Sequence, residues 1–163
     1  MAREHGWGPA GARVYGSRPG RSWKTLTLIG AIRKGRRPQL MTHHGSVTGR
    51  VFLRYVKTRL APWLQRGDIV VMDNLGAHKM RSVRMAIEAV GASVVYLPTY
   101  SPDMNPIELW WPNLKRRVRT EAPRDVASLA RCVRRIRSGT QVANVNAWID
   151  HALSFAQVNR SLG

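Results

Sequence analysis

The sequence predicts an α/β protein: a mixed sheet flanked by helices, with further helices at the C-terminal end. Three observations carry that expectation. Trp23–Ile32 and Pro38–Thr42 are apolar runs joined by a Lys34-Gly35 turn, the pattern of a β-hairpin. Ile69–Met72 and Ser93–Leu97 are short β-rich runs with a helical pattern between them, which implies a right-handed parallel crossover. From Pro106 onward, apolar residues recur at helical spacing.

Residues 1–22 read as loop, because Gly6, Gly8, Gly11, Gly16 and Gly20 are interleaved with Arg3, Arg13, Arg18 and Arg21. A short extended piece is expected at Arg13-Val14-Tyr15. His43-His44 closes the hairpin, and neighbours on a strand point to opposite faces, so the two make a poor metal pair. From Thr48 to Leu64 a helix is expected, with Val51, Phe52, Tyr55, Val56 and Leu60 on its apolar face and Pro62 marking its end. Ile69–Met72 then reads as a buried strand with Asp73 at its tip. A helix follows over Arg81–Val90, with Val83, Ile87 and Val90 on one face and Gly91 as its C-cap. Ser93–Leu97 is a second buried strand, stopped by Pro98.

The helix opened by Pro106 carries Ile107, Trp111, Leu114 and Val118 on one stripe; Lys115, Arg116, Arg117 and Arg119 lie off it. Trp110 and Trp111 are read as core rather than as base-stacking groups. Pro112 removes one backbone hydrogen bond and predicts a kink. Asp125–Arg137 is a further helix, with Val126, Leu129, Val133 and Ile136 facing in and Arg131, Arg134, Arg135 and Arg137 facing out. Val142–Val158 is the last, marked by Val145, Ile149, Ala152 and Ala156.

Composition narrows the partners. A chain of 163 residues is the size of one domain with a real core. Its 27 Lys and Arg against 9 Asp and Glu give a formal charge of +18. Such an excess repels itself unless a polyanion is near, which favours nucleic acid. No apolar run approaches the roughly 18 residues of a membrane span, and the N-terminus lacks the apolar core of a signal peptide. Cys132 is the single cysteine, so neither a disulfide framework nor a cysteine zinc site is expected. A cytoplasmic, nucleoid-associated setting fits.

The chemistry concentrates between Val70 and Glu108. The apolar run Ile69-Val70-Val71-Met72 ends on Asp73-Asn74-Leu75-Gly76-Ala77-His78, and strand tips of open α/β sheets are where catalytic groups collect. Asn105-Pro106-Ile107-Glu108 reads as a helix start: Asn at N-cap, Pro at N1, Glu at N3. Each carboxylate alone has a plain structural reading. Asp73 suits a turn, and Glu108 suits the acidic half of a cap near the helix dipole. Placed together they could converge on one cation.

The strand-DN-x-G-A-H block, the YLPTYSPDMNPIE block and the 34 residues between Asp73 and Glu108 resemble mariner-type insertion-sequence transposases of the DDE superfamily. The resemblance implies a ribonuclease H-like fold. It implies cleavage at the ends of a DNA element, then attack of the freed 3′-hydroxyl on target DNA. Asp73 matches the family's second carboxylate and Glu108 its third, both catalytic and metal-ligating. Mg²⁺ or Mn²⁺ in a two-metal site is the implied cofactor, since carboxylate oxygens suit hard cations. DNA is the implied partner, with a homo-oligomer in the complete enzyme. His78 matches a His of the family's block, with a DNA contact, an active-site contact or a helix-start role open to it. Lys79, Lys115, Arg116, Arg117 and Arg119 are the other candidate DNA contacts.

The family's first carboxylate sits on a central strand upstream of a segment like Met1–Gly20, beyond a helix-turn-helix domain. Upstream of Asp68 the single acid here is Glu4, in a Gly-rich loop. The expectation is therefore an N-terminally truncated domain: residues 1–123 as a partial catalytic domain without its first strand, and 124–163 as a helical extension. Such a chain should be inactive alone and poorly soluble, with exposed strand edges. Two readings stay open: a transposase catalytic domain, or a nucleic-acid-binding remnant that does not cut.

Overall fold

The computed structural model describes residues 25–99 and 101–161, with side chains of the last helix as far as Ser154. Leu26–Arg33 (β1) and Arg36–His44 (β2) pair antiparallel, turning at Gly35 with φ +77°. A left-handed φ of that kind suits glycine at the turn. The hairpin's alternation separates two cores. Ile29 and Ala31 face one side, against Phe52, Tyr55, Val56 and Leu60. Leu28 faces the other, against Trp111, Leu114 and Val118. Helices thus cover both faces of the hairpin, the three-layer arrangement of α/β proteins.

Gly30 is required by that second layer. A Cβ there would lie 3.1 Å from the Trp111 ring and 3.2 Å from the Trp110 ring. Trp110 is fully buried, and its ring stacks on Trp111 with centroids 4.9 Å apart. Both tryptophans are core, as their helical context implied, although the deeper of the two is the one outside the expected stripe.

Thr48 caps Gly49–Tyr55 (α1), accepting from the Val51 amide, and helical backbone continues as a π turn over Val56–Leu60 and a 3₁₀ turn over Ala61–Trp63. Ile69–Met72 (β3) pairs parallel with Ser93–Tyr96 (β4) across Arg81–Glu88 (α2). Val83 and Ile87 of α2 pack with Met72, Val70, Val94 and Tyr96 into the same core as α1.

Two expectations are corrected here. β3 and β4 are buried on one face alone: Ile69 is 65% exposed, Val71 45% and Val95 48%. α1 and α2 lie on one side of this pair, while the helices of the other layer sit over the hairpin instead. Val90 is exposed as well, because α2 ends at Glu88 and Val90 falls in the turn that Gly91 completes at φ +78°.

Arg33 ties the hairpin to the loop before β3. Its guanidinium donates to the Trp63 carbonyl at 3.1 Å, Gln65 Oε1 at 2.6 Å and Asp68 Oδ1 at 2.9 Å. Among the described residues β1 pairs with β2 alone and β3 with β4 alone, so each pair is its own two-stranded sheet.

Ile107–Glu121 (α3), Val126–Ser138 (α4) and Val142–Ser161 (α5) complete the chain. Pro112 lies inside α3 without breaking it. Asp125 caps α4 by accepting from the Ser128 amide at 2.7 Å, and the Ser128 hydroxyl accepts in return from the Asp125 amide. Cys132, Val133 and Ile136 of α4 are buried, while Arg137 is half-buried and reaches Gln39 rather than standing free. Burial, then the Glu121 carboxylate, pushes the Cys132 thiol up to about 11. His43 faces Arg54 and His44 is exposed, so the adjacent pair diverges. The mixed α/β organisation is consistent with a ribonuclease H-like fold. No helix among the described residues is long and apolar enough to cross a membrane. The expected extended piece at Arg13–Tyr15 and the lone upstream acid Glu4 lie outside the described residues.

Candidate active site

Asp73 stands where the β3–β4 ladder ends. The last bond of that ladder runs from the Leu97 amide to the Met72 carbonyl at 2.8 Å, and the chain then turns away. The turn is held by its own backbone, with the His78 amide donating to the Leu75 carbonyl at 2.9 Å. Asp73 Oδ1 accepts a long bond from the Leu75 amide at 3.4 Å, so the carboxylate does take part in the turn. Its side chain is nevertheless 45% exposed.

Glu108 reaches the same place from another direction. α3 starts at Ile107, with Pro106 as its N-cap residue. The expected side-chain cap by Asn105 is not formed; its carbonyl accepts from the Glu108 amide at 3.0 Å instead. The preceding 3₁₀ turn over Pro102–Met104 leads into the helix, whose N-cap position falls on Pro106, a residue without a capping side chain. Glu108 therefore sits one position earlier in the first turn than the sequence implied. It is exposed and has no ion-pair partner among the described residues. The positive end of the helix dipole favours a carboxylate there.

Both carboxylates line one cavity of about 300 Å³, shared with Asn74, Leu75, Leu97, Pro98, Thr99, Ser101, Pro102 and Asn105. Asn74 Nδ2 donates to Thr99 Oγ1 at 3.3 Å, which joins the two loops that form its walls. The polar lining is carboxylate, amide and hydroxyl, an oxygen-rich set that suits a hard cation over zinc. Among the described residues no cluster of three or more His, Cys, Asp or Glu could hold a metal.

Residues 1–130 match the family profile of the DDE superfamily endonucleases. The chain belongs to this family. The matched span takes in both β-sheets, α3 and the start of α4, so both carboxylates lie inside it. A comparison with curated proteins finds no match.

The other candidates are dispersed. His78 lies against Asp73, with Nδ1 2.5 Å from Oδ1 and its side chain 19% exposed. Lys79 is exposed beside the same turn. Lys115, Arg116, Arg117 and Arg119 are exposed along α3 and do not line the cavity. At 1.5 Å per residue they begin about 10 Å along the helix from Glu108. Arg116 and Arg117 instead border a separate groove with Thr120 and Glu121. Asn74, Thr99, Ser101 and Asn105 are lining residues that the sequence reading passed over. Their signal was position alone, since each falls within or beside the two blocks that hold the carboxylates.

Proposed function

We propose that this DDE endonuclease is the catalytic part of a mariner-type transposase, cutting DNA at the ends of an element and joining them to a target. The observation that supports the reading is the placement of Asp73 and Glu108 on one cavity, whose polar part is carboxylate, amide and hydroxyl. Asp73 and Glu108 would hold Mg²⁺ or Mn²⁺, with the neutral oxygens of Asn74, Ser101 and Asn105 within the same cavity. Divalent ions, when bound, absorb charge on the attacking and leaving oxygens of a phosphodiester.

The residues' own work is to place charge and DNA. In the first reaction water adds to phosphorus and the P–O3′ bond breaks, leaving a 3′-hydroxyl and a 5′-phosphate. In the second that 3′-oxygen bonds to a target phosphorus, and the target's own 3′-oxygen leaves and takes up a proton. The end of β3 would set the backbone position of Asp73 and the first turn of α3 that of Glu108, so both carboxylates would be presented to the same cavity. Lys79, Lys115, Arg116, Arg117 and Arg119 would meet the DNA backbone, with copies of the chain bringing the element's two ends together in the nucleoid.

A second reading is a DNA-binding chain that does not cut. Two carboxylates line the cavity among the described residues, so a further donor would come from outside them, Glu4 included. One assay separates the readings: nicking of supercoiled DNA by the purified chain with Mg²⁺ or Mn²⁺. Cleavage that disappears in both Asp73→Asn and Glu108→Gln supports the transposase; including Glu4→Gln asks whether that residue completes the site. Cleavage unchanged in the first two variants would overturn the assignment. Binding without cleavage would favour the second reading.

A further inference from the structure

His78 is the neighbour of Asp73 whose placement the reaction has not used. The residue is held at its ring and at its backbone. One face lies on Phe52, with centroids 4.2 Å apart at 41°, and Phe52 is itself a buried core residue of α1. Its backbone carbonyl accepts from the Tyr96 hydroxyl at 3.0 Å, which fixes the turn to the end of β4. Clamped in this way, the imidazole brings a fully buried Nδ1 to 2.5 Å from Asp73 Oδ1.

The contact is short but not aligned, and Nδ1 has no other hydrogen-bond partner among the described residues. A small rotation of the Asp73 carboxylate would complete it. Oδ1 also faces the Leu75 amide at 3.4 Å. Both neighbours therefore address the same oxygen, and Oδ2 is the one without a partner among the described residues.

We propose that His78 is a positioning residue for Asp73: its Nδ1–H holds Oδ1, so the carboxylate offers Oδ2 to a divalent cation in one fixed orientation. The idea rests on the metal-binding reading of Asp73 and Glu108. A carboxylate ligand that is itself hydrogen-bonded binds its ion better, and loss of such a partner commonly costs about 10- to 100-fold in affinity.

The test is Mn²⁺ binding by the full chain, followed by electron paramagnetic resonance, with a thermal melt of each protein. His78→Phe keeps an aromatic ring on Phe52 but has no donor. His78→Asn puts an amide N–H at the place of Nδ1 and gives up the ring. We expect His78→Phe to melt with the wild type yet bind Mn²⁺ about 10-fold or more weakly, and His78→Asn to recover most of that loss. Wild-type affinity in His78→Phe would overturn the proposal. So would a loss that His78→Asn does not recover, or one that comes with a lowered melting temperature, since either makes the ring structural. Asp73→Asn separates this from the underlying reading: if it binds Mn²⁺ as the wild type does, Asp73 is no ligand and both ideas fall.

Discussion

Replacing Lys115, Arg116 and Arg119 together with alanine tests whether α3 carries the DNA. The three side chains are exposed, and none takes part in an ion pair among the described residues. Alanine is the best helix former, so α3 should persist. Arg117 is left in place because its charge also acts on Glu121. If all five assigned cations (Lys79 and the four on α3) each neutralise one phosphate, log K falls against log salt with a slope of about −4.5. Affinity then drops roughly 500-fold between 50 and 200 mM salt. With three cations removed the slope becomes about −1.8, and the same change of salt costs roughly 12-fold. Fluorescence anisotropy of a labelled duplex, titrated at three or four salt concentrations, reads both slopes. A triple variant with the wild-type slope would refute the reasoning, and would move the contact surface to the arginines of α4 or to residues 1–24.

Tyr55→Phe should stabilise the protein. The Tyr55 hydroxyl is buried without a hydrogen-bond partner among the described residues, and burial pushes its phenol well above the usual range. An unpaired buried polar group costs about 1–3 kcal/mol, so removing it while keeping the ring should raise the melting temperature; a fall would show that the hydroxyl has a partner. Asp125→Ala should lower the melting temperature at neutral pH by removing the cap of α4. The Ser128 amide and then its hydroxyl hold the Asp125 carboxylate below its usual range, so its contribution is present above the unfolded value near 3.9. It is lost as pH falls through the lower folded value, and melts from pH 7 down to acid should show wild type and variant converging there.

Much of this chain could be read from its order of residues, for a physical reason that differs by element. The hairpin announces itself because strand alternation and the Lys34-Gly35 turn are local properties, and the observed pairing follows them. The Asp125 cap is local in the same way, since donor and acceptor are three residues apart. Asp73 and Glu108 were legible as candidates because each stands at an element's end, next to residues that terminate or start that element. Sequence anticipated that the two could meet but not that both would line one cavity. That depends on a parallel pairing of β3 with β4 and on the path through Pro98–Asn105, which no periodicity encodes.

What tertiary structure decided is what depends on neighbours distant in sequence. Ile69, Val71 and Val95 are as apolar as any buried strand residue, yet burial is a property of the layer packed above, and that layer lies over the hairpin. Trp110 and Trp111 are adjacent and chemically alike. Trp110 is the deeper, and both rings can press against β1 because Gly30, far upstream, has no side chain to hold them away. His78 could have met DNA, a helix end or the site. Phe52 beneath its ring and Tyr96 on its carbonyl select Asp73, and both come from elements that only the folded chain brings there.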